Sequence, residues 1–234
     1  MKENVFKASK SEKRGLKLLN PEMENILSVG ISTGGSAEIN MAKLCPNAKI
    51  VATTIDERGL KFSIEKMSAF SEFERVEAKI EDVSKPMPYA DNTFDYVYAR
   101  LVLHYLNKQQ LSSTLDEIRR VLKPGGVFFI VARNNKEWEL RKPEFVISYD
   151  EETNITTYYS QWEKKNIDKR QFLSEEQLKE VLANHGFKVQ RVKSYRERLY
   201  TDYERNKKNR SKKPNYLTEV VAIKKHLNIE NELV

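Results

Sequence analysis

Three glycines, Gly30, Gly34 and Gly35, follow a short apolar run and open a segment with helical spacing. A turn of this kind lets backbone approach a ligand with no Cβ in the way, and the helix behind it favours negative charge at its start. Asp56 stands 22 residues past Gly34, at the end of the next apolar run. A carboxylate there can accept both hydroxyls of a ribose, as in nucleotide-binding βαβ units, or it can cap the following helix. The turn and the acid together point to a nucleoside ligand. His104 is the one histidine that falls close to these strand ends. A neutral imidazole in that place could take a proton from a hydroxyl or an amine.

The elements that must hold these residues follow from apolar periodicity. Residues 25–29, 49–55, 75–80, 94–99 and 127–132 are nearly continuous apolar, β-branched or aromatic runs. Such runs suit strands buried on both faces. Residues 36–44, 59–70 and 110–122 have helical spacing between them. Alternation of this sort predicts βαβ units in a doubly wound, mostly parallel α/β sheet with helices on both faces. Past residue 133 the rhythm changes. Residues 144–148 and 155–160 flank a polar turn, which predicts a hairpin insertion after the fifth strand. Ser174 opens a helix with a capping-box pattern closed by Gly186, and 189–195 and 218–223 read as a last pair of strands. With no repeat and no linker, residues 1–234 form one expected domain. Residues 1–22 are a mobile or weakly helical lead-in, 137–170 a substrate lid or a packed hairpin, and 196–216 a basic loop.

The 234 residues are 39% hydrophobic and 32% charged, within the range of globular chains. No apolar run approaches the ~18 residues of a membrane span, and no apolar stretch follows the first lysines as in a secretory leader. The single cysteine, Cys45, excludes an internal disulfide and a multi-cysteine zinc site, so a cytoplasmic protein without a structural metal is expected. The net charge of +7 is uneven: residues 1–20 carry +4, residues 204–213 carry +5, and the rest of the chain carries −2. Basic and aromatic residues interleave over 195–216. That pattern could grip an RNA backbone and stack bases, or be a solvated loop.

Residues 88–106 (PYADNTFDYVYARLVLHYL) and 115–126 (LDEIRRVLKPGG) resemble the class I S-adenosylmethionine-dependent methyltransferases, in particular the type 11 group. Residues 172–178 (FLSEEQL) and 185–187 (HGF) are similar to that family's penultimate helix and its exit. The resemblance spans about residues 25–225 and implies a seven-stranded Rossmann-like sheet. It implies methyl transfer from S-adenosylmethionine to a small molecule. Gly30, Ser32 and Gly34 would then underlie the methionine part of the cofactor. Asp56 would hold the ribose with Glu57 beside it, and Asp82 and the Val83 backbone would meet the adenine. Arg100 and Leu101 would lie near the sulfonium and the acceptor. A histidine in the setting of His104 is common in the family, so that residue is either a base or a packed part of the chain.

Two positions depart from the family. Ser28 stands where an acid usually begins the first motif and helps order the cofactor's ammonium end, and Ser32 replaces a glycine. A non-catalytic relative is the alternative that these serines leave open, and an RNA methyltransferase using the basic loop is the other. The chain lacks an Asn-Pro-Pro-Tyr or Asp-Pro-Pro-Tyr motif after the fourth strand, where it would cradle a planar amine. Cys45 falls at the far end of the first helix, away from the position of a nucleophile for pyrimidine methylation. Trp138, Tyr149, Tyr158, Tyr159 and Trp162 load the 137–170 segment with rings, which suits an apolar or ring-bearing acceptor or simple packing.

Overall fold

The computed structural model describes residues 8–31, 33–160, 166–200 and 210–225. In chain order these form α1 (Lys10–Leu16), β1 (Asn25–Val29), α2 (Ser36–Leu44), β2 (Lys49–Thr54), α3 (Glu57–Met67), β3 (Val76–Ile80), β4 (Phe94–Arg100), α4 (Lys108–Val121) and β5 (Leu122–Arg133). Then come β6 (Val146–Asp150), β7 (Ile155–Tyr159), β8 (Ile167–Arg170), α5 (Glu175–Asn184), β9 (Phe187–Glu197) and β10 (Asn215–Lys224).

Seven strands join in the order β3-β2-β1-β4-β5-β10-β9. The first five run parallel, and β10 enters antiparallel between β5 and β9. Alternating residues of each strand feed opposite faces. Leu27, Val29, Val97, Ala99, Phe128 and Ile130 pack under α4 and α5, whereas Ile26, Ile50, Tyr96, Tyr98, Phe129 and Val131 pack under α1 and α2. The doubly wound sheet expected from the sequence is therefore present.

Three details go beyond the sequence pattern. The lead-in contains a defined helix, α1, whose Ser9 and Glu12 form a reciprocal capping box. Helix α1 lies close on the sheet: a Cβ on Gly15 would stand 2.7 Å from the rings of Phe129 and Tyr98. The insertion is a three-stranded antiparallel sheet, β6-β7-β8, in which β8 joins the expected hairpin. Third, the β3–β4 connection is fastened to α4 by Arg120. Its guanidinium donates to the carbonyls of Tyr89 (2.7 Å) and Met87 (2.9 Å) and pairs with Glu117 and Asp91.

Candidate active site at the carboxyl ends of β1 and β4

The chain leaves β1 toward β2 on one side and β4 toward β5 on the other. Adjacent strands whose connections diverge leave a crevice at their carboxyl ends, where open α/β sheets bind ligands. Gly30 ends β1 with φ +77°, and Gly34 and Gly35 follow with φ +70° and +69° before α2 begins. The space is tight on both sides of the turn. A Cβ on Gly30 would come within 3.0 Å of the Val102 Cβ, and one on Gly35 within 2.3 Å of the Met67 side chain. Ser32 lies outside the described residues.

At the end of β4, Leu101 takes φ +61° and its amide donates to the Val131 carbonyl at 2.7 Å. A leucine in the left-handed region stores backbone strain of about 1 kcal/mol or more, which tends to collect at functional sites.

Asp56 follows β2 and is exposed, as is Glu57. Asp56 Oδ1 accepts from the Gly59 amide at 3.0 Å, so the acid caps α3 as well as standing at the crevice rim. Asp82, just past β3, is also exposed. Its Oδ1 accepts from the Ser84 amide and hydroxyl at 2.9 and 2.7 Å, and the Ser84 hydroxyl leads in holding this carboxyl below its usual range. Val83 is buried in the core, with its carbonyl accepting from the Thr114 hydroxyl at 3.0 Å. Ile55 and Ile80, at the ends of the paired strands β2 and β3, are 73% and 47% exposed. Two bare isoleucines between Asp56 and Asp82 make an apolar step suited to a flat base. In the sequence they merely close ordinary apolar runs, so nothing there marks them as functional.

Arg100 lies on the other side of the switch point. Its Nε donates to the Ser11 hydroxyl at 2.8 Å, while the Ser11 amide donates to Glu197 at 3.1 Å. Burial works against the guanidinium, and Glu12, Tyr98, Glu197 and Tyr195 together outweigh it, raising its pKa above the usual value. Thus α1, in the segment expected to be a mobile or weakly helical lead-in, seats directly on Arg100, a residue the sequence predicts for the site.

His104 is placed differently from the crevice acids. It is 4% exposed, its ring packs on Tyr105, and its Nδ1 accepts a long bond of 3.4 Å from the Arg133 amide. Burial, together with the Arg170 and Arg133 charges, holds the imidazole well below its usual range, hence neutral. Around it, Arg133 pairs with Glu137 (2.6 Å) and Glu139 (3.1 Å) and donates to the Tyr158 hydroxyl at 3.0 Å. Arg170 reaches Tyr158, Tyr105 and Asp168. These contacts fasten the β6-β7-β8 sheet to the end of β5, with Tyr158 fully buried and Tyr149 exposed. Trp162 lies outside the described residues, as do residues 201–209 of the basic loop, Lys207 and Lys208 among them. At the loop's described end, Arg210 stacks on Tyr200 and Lys213 on Trp138. Cys45 is buried in the core, its thiol near the Asn20 carbonyl.

The family model described as a methyltransferase domain matches residues 27–130. A demethylmenaquinone methyltransferase from Symbiobacterium thermophilum is 30% identical over 105 residues, covering 45% of this chain and 41% of that protein. A sterol 4-C-methyltransferase from Caenorhabditis elegans is 28% identical over 184 residues, covering 73% of this chain and 52% of that protein. The chain thus spans about half the length of the curated relatives it matches. Among solved structures, a SAM-dependent methyltransferase from Methanosarcina mazei superposes with a TM-score of 0.64 at 15% identity, over 90% of this chain and 96% of that one. Among the described residues no helix is long and apolar enough to cross a membrane, and no cluster of histidine, cysteine and acidic residues could hold a metal ion. The matched domain, the strand order and the superposition lead to one conclusion: the chain has the Rossmann-like methyltransferase fold, and residues 27–130 within it match a methyltransferase domain.

Proposed function

We propose that the protein transfers a methyl group from S-adenosylmethionine to a small-molecule acceptor. The observation that carries this is the β1–β4 switch point, with left-handed glycines at 30, 34 and 35 following β1 and exposed Asp56 and Asp82 following β2 and β3. The residues present suit the cofactor. Asp56 would accept the ribose hydroxyls with Glu57 beside it, Ile55 and Ile80 would flank the base, and Asp82 with the Val83 backbone would meet its edge. Gly30, Ser32 and Gly34 would underlie the methionine part, with Arg100 nearby on the acceptor side. When bound, the cofactor supplies an electrophilic methyl carbon on a sulfonium, so the chain's task is mainly to position the acceptor.

A proton must leave an acceptor hydroxyl or amine, and His104 is our candidate to receive it. Its neutral imidazole is in the right protonation state for that, though a base so depressed in affinity suits only an acidic proton. The names of the demethylmenaquinone and sterol relatives favour an apolar, ring-bearing acceptor, in keeping with the aromatic load of residues 137–170. The single buried cysteine accords with a reducing compartment, and we assign the activity to the cytoplasm.

The double role of Asp56 allows a clean test. Asp56→Ser keeps a side-chain cap on α3 but removes the carboxylate, whereas Asp56→Ala removes both. Calorimetric titration with S-adenosylhomocysteine should show both variants weakened by about tenfold or more, from loss of charge-assisted bonds. Only the alanine variant should lose about 1 kcal/mol of stability. A serine variant that binds as the parent does would refute the ribose role. A folded parent that binds neither S-adenosylmethionine nor S-adenosylhomocysteine would refute the proposed function.

A further inference from the structure

Ser28 leaves the first motif without its acid, yet the structure contains a carboxylate at that spot. Ser28 is fully buried at the fourth position of β1, and its hydroxyl donates to Glu38 Oε1 at 2.7 Å. Glu38 comes from the first turn of α2, the helix that the glycine turn opens, and it too is fully buried. A buried carboxyl is costly to keep, and a sequence retains one where it has a task or a partner. The start of α2 helps to hold it, because the helix dipole is positive there.

The surroundings point the same way. Ser28 pairs in register with Tyr98 of β4, so both side chains leave the sheet on the face beneath α1 and α2. The Tyr98 hydroxyl is buried with no hydrogen-bond partner among the described residues, and it lies within the fields of Glu12, Arg100 and Glu38. A polar seam therefore runs under the glycine turn from Glu38 through Ser28 and Tyr98 to Arg100. It adjoins the place where the cofactor's amino-acid end would lie.

We propose that Glu38 has taken over the charge of the missing strand acid. It is a positioning residue that sets the glycine turn through Ser28 and favours the cofactor's ammonium group by its field. The inference rests on the cofactor assignment above and adds to it a residue ten positions downstream of the motif.

The test uses the full chain and three ligands: S-adenosylmethionine, S-adenosylhomocysteine and methylthioadenosine, which keeps the nucleoside but has no ammonium. Glu38→Gln should weaken the first two by about tenfold and leave methylthioadenosine within about twofold. Moving the acid back, as Ser28→Asp with Glu38→Ala, should restore the preference for ammonium-bearing ligands. This swap serves as the test even where the single variant folds poorly. A Glu38→Gln protein that is unchanged, or weakened equally for all three ligands, would overturn the inference, as would a folded swap variant without the preference. A parent that binds none of the three would instead overturn the cofactor assignment on which it rests.

Discussion

Gly30 and Val102 approach closely across the switch point because Gly30 has no Cβ: a methyl there would stand 3.0 Å from the Val102 Cβ. The same residue has φ +77°, which an L side chain rarely adopts. Gly30→Ala is therefore expected to cost about 1–3 kcal/mol in denaturant unfolding. It should also lower affinity for S-adenosylhomocysteine, because relief of the contact must widen the crevice. Retained stability and affinity would mean that Val102 yields without consequence.

Leu101 presents the opposite problem, a side chain where glycine or asparagine would be at ease. With φ +61°, Leu101→Asn should be tolerated better than Leu101→Val, although valine is the closer match in hydrophobicity. The expected gap is about 1 kcal/mol, since a β-branched residue is a poor fit to the left-handed region. Thermal unfolding of the two variants decides it, and a more stable valine variant would show that side-chain packing outweighs backbone strain here.

Arg120 supports the site from the far side of α4. It holds the carbonyls of Met87 and Tyr89 and so anchors the segment that starts at Asp82. Arg120→Ala should cost about 1–3 kcal/mol, because two carbonyls and Glu117 lose a charged donor that is itself partly exposed. Arg120→Lys should recover only part, since an ammonium cannot reproduce the planar fork. Hydrogen exchange of residues 81–93 should rise in the alanine variant, and unchanged protection there would rule out the anchoring role.

His104 gives the fold a pH signature. Its imidazole is held well below the usual range by burial and by Arg170 and Arg133, so the folded chain keeps it neutral. The unfolded chain takes up a proton near pH 6.5, and stability rises with pH wherever the unfolded state binds more protons. The contribution of His104 is therefore fully present above about pH 6.5 and drains as pH falls, by up to about 1.4 kcal/mol per pH unit. His104→Gln should flatten that part of the profile. Denaturant midpoints across mildly acidic to neutral pH measure it, and an unaltered acid slope would contradict the assignment.

The parallel sheet was legible because its strands are buried on both faces and so carry unbroken apolar runs such as residues 127–132. Asp56 and the glycine turn were legible because their spacing fits a βαβ unit. Helix α1 was not, since seven residues form a marginal helix alone and this one is held by its fit on Tyr98 and Phe129. Strand β8 was hidden for a related reason. Its sequence, Ile-Asp-Lys-Arg, has no strand pattern, and β8 stays in place by pairing with β7 and by the contacts of Arg170. Glu38 looks from sequence like any glutamate in a helix. Only the packing of α2 on β1 reveals that it meets Ser28.

The pairing of β5 with β10 makes the recognisable part of the chain different from the part that can fold. Residues 27–130 match the family, yet they end in β5, where Val127–Arg133 pairs with Leu217–Ile223. Cut out alone, that segment would present Phe128, Phe129 and Ile130 on an open, flat edge, a template for intermolecular pairing. In the whole chain the same edge must wait for a strand made much later, across the entire insertion and α5. Long-range pairing of this kind slows folding. The seam between β5 and β9 is thus the last part of the sheet to be sealed, and the newly made chain is at most risk of aggregation before β10 arrives.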